Sequence, residues 1–177
     1  MFRPSLYCSL IFAIAATLGN FAFAPCEAAE PEDYIADGKL KHALKLSHLQ
    51  LGGFAGRLET SIDIAADGSW TGSYGVGGRA QPRKGNLSEE QVKQLADALA
   101  EHDLAALPET IGAAKPVESP KQIADGASTT ISLSFGDQKV TANFADGVQV
   151  DEATQKLRRR LQAIESAMRK VTLNAKQ

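Results

Sequence analysis

The sequence has 177 residues, of which 19 are Lys or Arg and 21 are Asp or Glu, so its formal net charge is −2. This balance argues against a protein that recruits nucleic acid or an anionic membrane through its overall field, and we predict a protein or a small molecule as the partner. Without its apolar N-terminal segment the chain has about 150 residues, which suffice for one compact domain.

The N-terminus has the pattern of a secretory signal. Arg3 precedes an apolar run over residues 6–24, and Ala28 offers a small residue for cleavage. We predict a signal over residues 1–28, no stable membrane insertion after its removal, and a periplasmic or secreted protein. Two alternatives stay open, namely an uncleaved membrane anchor and lipidation at Cys26.

Both cysteines, Cys8 and Cys26, lie within the predicted signal. The exported domain therefore has no disulfide, although its compartment would permit one, and its apolar core alone must stabilise it. We predict an acidic, solvated leader over residues 29–43 and a single α+β domain over residues 44–177. We expect a monomer.

Three strands are predicted to form a meander. Leucines over residues 44–51 change parity near Ser47 and His48, which predicts a bulged first strand. Residues 57–64 alternate apolar and polar side chains, as expected of a strand covered on one face. The third strand runs to the glycines at residues 75–78.

A polar segment over residues 79–85 contains Pro82 and is predicted to be irregular. The first helix follows it. Ser88 is positioned to cap this helix, with Gln91 completing a capping box. Residues 111–127 contain two prolines and little periodicity, and we expect a long loop there.

The second hairpin is predicted to turn at Gly136-Asp137, with Leu133 opposite Val140. The last helix is predicted to begin near Asp151 or Thr154. Its apolar seam comprises Leu157, Leu161, Ile164, Met168 and Val171. The predicted fold class is thus α+β: an antiparallel sheet of about five strands, formed by a β-meander, a helix, a β-hairpin and a C-terminal helix, with the helices packed on one face.

The segment from Gly52 to Gly56 joins the first two predicted strands. Its three glycines allow the backbone to turn sharply and to approach another surface closely, while a single aromatic ring projects from it. The alternative is a glycine-bent corner whose Phe54 folds back into the core. The candidate contact residues are Gly52, Gly53, Phe54, Ala55 and Gly56, with Arg57 as a polar flank.

Residue patterns for catalysis are missing from the sequence. It contains no zinc-protease helix, no phosphate-binding loop and no cysteine pairs for a metal. The three histidines, His42, His48 and His102, are not clustered, and we interpret each as structural or exposed. We therefore predict that the protein is not an enzyme and needs no cofactor or metal.

Several segments together resemble the emfourin family of protealysin inhibitors. They are the stretch 49–56 with its glycines, the alternating strand after it, and the helix that opens at Leu87-Ser88-Glu89-Glu90 and closes at residues 104–108. The similarity runs from about residue 46 to residue 171. It implies a small α+β domain that inhibits thermolysin-like zinc metalloproteases by binding them.

This sequence also departs from the family pattern. It carries an export signal, a longer glycine-rich meander and an insert around residues 115–121, and these differences leave the target protease open. We predict an exported inhibitor that blocks the active-site cleft of such an enzyme with its glycine-rich loop. The alternatives are an exported ligand-binding or scaffold module without inhibitory activity, and a hydrolase whose residues one sequence does not reveal.

Overall fold

Two helices cover one face of a seven-stranded sheet in the computed structural model, which describes residues 29–52, 56–76, 79–112, 127–145, 148 and 150–173. The strands are β1 (Ile35–Ala36), β2 (Lys39–Leu40), β3 (Leu44–Leu51), β4 (Arg57–Ile64), β5 (Ser69–Val76), β6 (Arg79–Asn86), β7 (Thr110–Ile111), β8 (Ser128–Phe135) and β9 (Gln138–Ala145). The helices are α1 (Glu89–Glu101) and α2 (Glu152–Val171), with short 3-10 helices at Pro31–Asp33 and Leu104–Ala106. The predicted signal over residues 1–28 lies outside the described residues.

The large sheet has the strand order β6-β5-β4-β3-β8-β9-β7, and β1 and β2 form a separate two-stranded sheet. All pairs in the large sheet are antiparallel except β7 with β9. The α+β class with a mostly antiparallel sheet is confirmed. The prediction of about five strands is wrong, because it lacked β6 and β7 in the large sheet.

Strand β6 was missed because nothing in its sequence shows the usual pattern of a strand. Seven of its eight residues are exposed, so there is no apolar alternation to read. Pro82, which predicted irregular structure, sits opposite Ser73 in the register. An edge strand tolerates a proline, which has no N–H to donate, because on its outer side no neighbouring strand needs that donor.

The core lies between the sheet and the two helices. Helix α1 contributes a buried stripe that includes Leu95 and Leu99, and α2 contributes Leu161, Ile164 and Met168. The predicted helix starts are confirmed. Gln91 N donates to Ser88 Oγ at 3.3 Å while the Ser88 amide donates to the Gln91 side chain at 2.8 Å, and Asp151 caps α2 by accepting from Thr154 N at 2.8 Å.

Strands β8 and β9 confirm the predicted hairpin. Leu133 pairs with Val140, Ile131 pairs with Ala142, and the turn lies at residues 136–137. All four side chains are buried. The apolar faces of the two strands coincide in this register, and a one-residue slip of either strand would turn the apolar side chains of that strand toward the open face.

Strand β3 corrects the prediction of a bulge. Its residues pair without interruption with β4 on one side and β8 on the other. Leu44 and Leu46 therefore face the helices, whereas Leu49 and Leu51 lie on the open face of the sheet. Because the strand keeps its phase, His48 occupies the helix-facing position that follows Leu46.

The segment 29–43 is packed against the domain, which corrects the prediction that it is solvated. Tyr34 and Leu40 are both buried. The Tyr34 ring contacts the edge of Phe135 at a centroid distance of 5.6 Å, and its hydroxyl accepts a hydrogen bond from Ala105 N at 3.4 Å. Two apolar residues among many acidic ones were too weak a pattern to predict this contact.

Gly75 lies near the end of β5, where the sequence predicted the third strand to reach its glycines, and close packing requires a glycine there. A Cβ atom at this position would lie 2.5 Å from the Ala80 Cα of the neighbouring strand. Real Cβ atoms do not approach backbone so closely. Strands β5 and β6 are thus paired at this position at a separation that only glycine permits.

Candidate functional site

The predicted contact loop connects β3 to β4, as the sequence indicated. Gly52 and Gly56 are exposed and have positive φ angles of 88° and 68°, which glycine adopts without strain. Gly53, Phe54 and Ala55 lie outside the described residues. A Cβ atom added at Gly56 would meet no atom within 4 Å, so this end of the loop is open to its surroundings.

The strands on either side clamp both ends of this loop. Leu51 pairs with Arg57 across β3 and β4, and Leu51 also pairs with Ser128 of β8. Arg57 itself donates through Nη2 to Glu59 at 2.9 Å, and both side chains are largely exposed. The loop is therefore short, and it joins two interior strands of the sheet, each of which has a neighbour on both sides.

Strands β3, β5 and β9 all end on the side of the sheet that carries the glycine-rich loop. We call this side the loop end of the sheet. The large hydrophobic side chains that are exposed in the described parts of the chain all lie near it. They are Leu51, Tyr74, Val76 and Val148, with exposed fractions of 44, 43, 46 and 39 %. Single exposed apolar side chains are normal on a folded protein, but an end of a domain that carries several of them is a candidate contact surface.

A buried polar cluster lies behind the loop, between the sheet and α2. His48 Nδ1 lies 2.5 Å from Glu165 Oε1, and Arg169 Nη2 lies 2.7 Å from the same oxygen. Arg169 Nη2 also donates to Thr60 Oγ1 at 2.9 Å. His48 and Thr60 are directly paired in the register of β3 and β4, three residues from the strand ends at Leu51 and Arg57.

The electrostatics of the cluster favour an ionised Glu165. Burial disfavours the charged carboxylate, but the hydrogen bond and charge of His48, together with those of Arg169, outweigh burial and lower the pKa of Glu165. With the carboxylate ionised, His48 Nδ1 is the donor toward it. Arg169 Nη2, at 3.3 Å from the same nitrogen, then has no acceptor there.

The cluster has the properties of a structural brace. It joins α2 to β3 and β4, and Glu165 is only 8 % exposed, so a substrate has no access to its carboxylate. His48 Nε2 and Arg169 Nε are buried and have no hydrogen-bond partner within the described ranges. No group of three or more His, Cys, Asp or Glu side chains there has the arrangement of a metal site.

The opposite face of the sheet is open and rich in hydroxyl groups. Ser61 Oγ and Ser73 Oγ are 2.9 Å apart, and Lys45 forms an ion pair of 2.7 Å with Asp63. A depression of about 740 Å³ lies on this face, and Lys84 also lines it. Its size is that of a small-molecule site, about 300–1,000 Å³.

Sequence reasoning missed the buried cluster because its members are far apart in the chain. His48 was interpreted as structural or exposed, and the structure shows it partly buried and bonded to Glu165. The one available signal was the position of His48 two residues after Leu46, on the same side of a strand. The assumption of a bulge concealed that signal.

Neither helix in the part of the chain that the structure describes is both long and apolar enough to cross a bilayer. No protein-family model matches the chain, and no curated protein matches it either.

Proposed function

We propose that this chain is an exported inhibitor of a thermolysin-like zinc metalloprotease and that it binds the enzyme through the loop end of its sheet. The proposal combines the resemblance of residues 46–171 to the emfourin family with the geometry of the β3–β4 loop. The observation that carries it is that the large apolar side chains exposed in the described ranges lie toward the end of the sheet where the glycine-rich β3–β4 loop stands, on both faces of the sheet.

The exposed apolar side chains at the loop end would supply contact area. A protein interface derives most of its binding energy from a few buried apolar or aromatic anchors, which neighbouring contacts shield from water. Leu51 adjoins Gly52 directly, and Val76 pairs with Leu58 on the next strand. In the complex these side chains would surround the glycine loop and exclude water from it.

Strand pairing at both ends of the loop would limit the conformational entropy that is lost on binding. A loop that is already held in its bound shape loses little conformational entropy on binding. The strand register fixes the loop at Leu51 and Arg57, and the cluster of His48 and Glu165 ties the strands beneath it to α2.

The glycines and Phe54 would act together in the cleft. Thermolysin-like enzymes favour a bulky apolar side chain in the pocket beside the scissile bond, and Phe54 would fill that pocket. Gly52 and Gly56, which have no side chain, would let the backbone approach the cleft closely. Binding without turnover is the proposed mode, and no cofactor takes part.

Inhibition titrations with matched charge insertions test this proposal. The wild-type protein should inhibit a thermolysin-like enzyme and leave a serine protease unaffected. Leu51→Glu places a carboxylate at the loop end and should weaken inhibition about tenfold or more. Ala66→Glu places the same charge in an exposed turn at the other end of the sheet and should leave inhibition unchanged. Equal losses in both variants, or no inhibition by the wild type, would reject the proposal.

A small-molecule-binding module is the second candidate, and the depression on the open face of the sheet favours it. Its floor carries hydroxyl groups from β4 and β5, which suit a polar ligand. If this were the whole function, the protein would leave the rate of every protease unchanged. The titrations above therefore separate the two candidates.

A further inference from the structure

A second and smaller pocket lies on the helix-covered side of the sheet, where the end of α2 meets β5 and β6. Its volume is about 340 Å³, and its lining residues are Tyr74, Gln81, Arg83, Arg169 and Leu173. Small-molecule sites usually have volumes of about 300–1,000 Å³. The pocket is thus large enough for a compact ligand.

Both guanidinium groups of this pocket are held in place by contacts to the protein. Arg83 Nη1 donates to the Leu173 carbonyl oxygen at 2.6 Å. Arg169 is held by Glu165 and Thr60, and its guanidinium carbon lies 5.8 Å from the centre of the Tyr74 ring. Groups that are fixed before binding lose little entropy when a ligand arrives.

The charges at the pocket leave it cationic. Glu165 neutralises Arg169, but the salt bridges found among the described residues do not include Arg83. None of the described residues that line the pocket is acidic. Arg83 keeps donors that its bond to Leu173 does not use, because a guanidinium carries five N–H groups.

We propose that this pocket binds a small organic carboxylate. The carboxylate would accept hydrogen bonds from Arg83 and Arg169, because the planar fork of a guanidinium matches the two oxygens of a carboxylate. The apolar body of the ligand would lie against the Tyr74 ring and Leu173. This inference goes beyond the proposed inhibition and does not depend on it.

Calorimetric titration of the protein with 3-phenylpropionate, in the absence of any protease, tests the inference. Saturable binding is expected, and the neutral isostere 3-phenylpropanamide should bind about tenfold more weakly or not at all. Absence of saturable binding by the acid, or equal binding of acid and amide, would overturn the inference.

A pair of neighbouring variants separates a specific site from general attraction of anions. Arg83→Gln should weaken binding of 3-phenylpropionate about tenfold or more, because it removes a charged donor from the pocket. Lys84→Gln removes the same charge one residue away, from the open face of the sheet, and should change the affinity less than about twofold. Equal losses in the two variants would overturn the inference.

Amide chemical shifts measured on the wild-type protein supply a test that does not depend on any substitution. Addition of 3-phenylpropionate should shift the resonances of Tyr74, Gln81 and Leu173. Shifts confined to the open face, around Ser61 and Thr71, would place the ligand in the other depression and would overturn the inference.

Discussion

Replacement of Arg169 by Met is the most informative test of the buried cluster. The substitution keeps much of the apolar stem but removes the charge that faces Glu165, which is 8 % exposed, and it takes away the donor to the fully buried Thr60. Breaking a buried ion pair costs about 3–5 kcal/mol. Arg169 is 24 % exposed and Glu165 keeps His48, so we expect a loss of about 2–3 kcal/mol in the free energy of unfolding.

Urea unfolding monitored by circular dichroism measures this loss, which corresponds to a fall in melting temperature of roughly 5–10 °C for a domain of this size. The matched control is Arg159→Met on the same helix. Arg159 is exposed, and within the described ranges its side chain has one hydrogen bond, to Gln155 at 3.3 Å, so its replacement should cost less than about 0.5 kcal/mol. If the two variants unfolded at the same urea concentration, the cluster would contribute nothing and the reasoning would be refuted.

Two further predictions concern stability. Gly75→Ala should lower the free energy of unfolding by about 1–3 kcal/mol, since its Cβ would lie 2.5 Å from the Ala80 backbone; a melting temperature equal to that of the wild type would contradict this. The pKa of Glu165 is lower in the folded protein than its ordinary value of 4.5, so the unfolded chain binds more protons and stability should fall as the pH drops below about 4.5. Glu165→Gln lacks this titration, and the stability gap between wild type and variant should narrow in that range; a constant gap would show that Glu165 does not titrate as described.

Local patterns predicted the parts of the fold in which neighbouring residues carry the information. The hairpin of β8 and β9 follows from a two-residue turn and two apolar faces that match across it. The starts of both helices follow from cap residues that bond within three positions, at Ser88 and Asp151. In these segments sequence and structure agree because the interactions are short in range.

The rest of the fold depends on contacts between distant segments. Strand β6 has no apolar pattern of its own, and its place at the edge follows from pairing with β5. Tyr34 and Leu40 are buried by partners in other elements. No periodicity within either segment could have revealed these contacts.

The candidate site was predictable in part. The sequence identified a glycine-rich loop between two strands, and the structure places β3 and β4 on either side of it. The exposed apolar side chains at the loop end could not be predicted as a set, because only the strand order brings the ends of β3 and β9 to the same end of the sheet. The cluster of His48 and Glu165 joins residues separated by 117 positions, which no local motif describes.

The Phe54→Ala variant tests the central claim most directly when inhibition and thermal stability are measured on the same sample. The account predicts that inhibition of a thermolysin-like protease weakens about thirtyfold or more while the melting temperature stays within about 2 °C of the wild type, as expected of an interface anchor that packs against nothing in the free protein. A large fall in melting temperature with unchanged inhibition would show that the ring belongs to the core, and it would contradict the account.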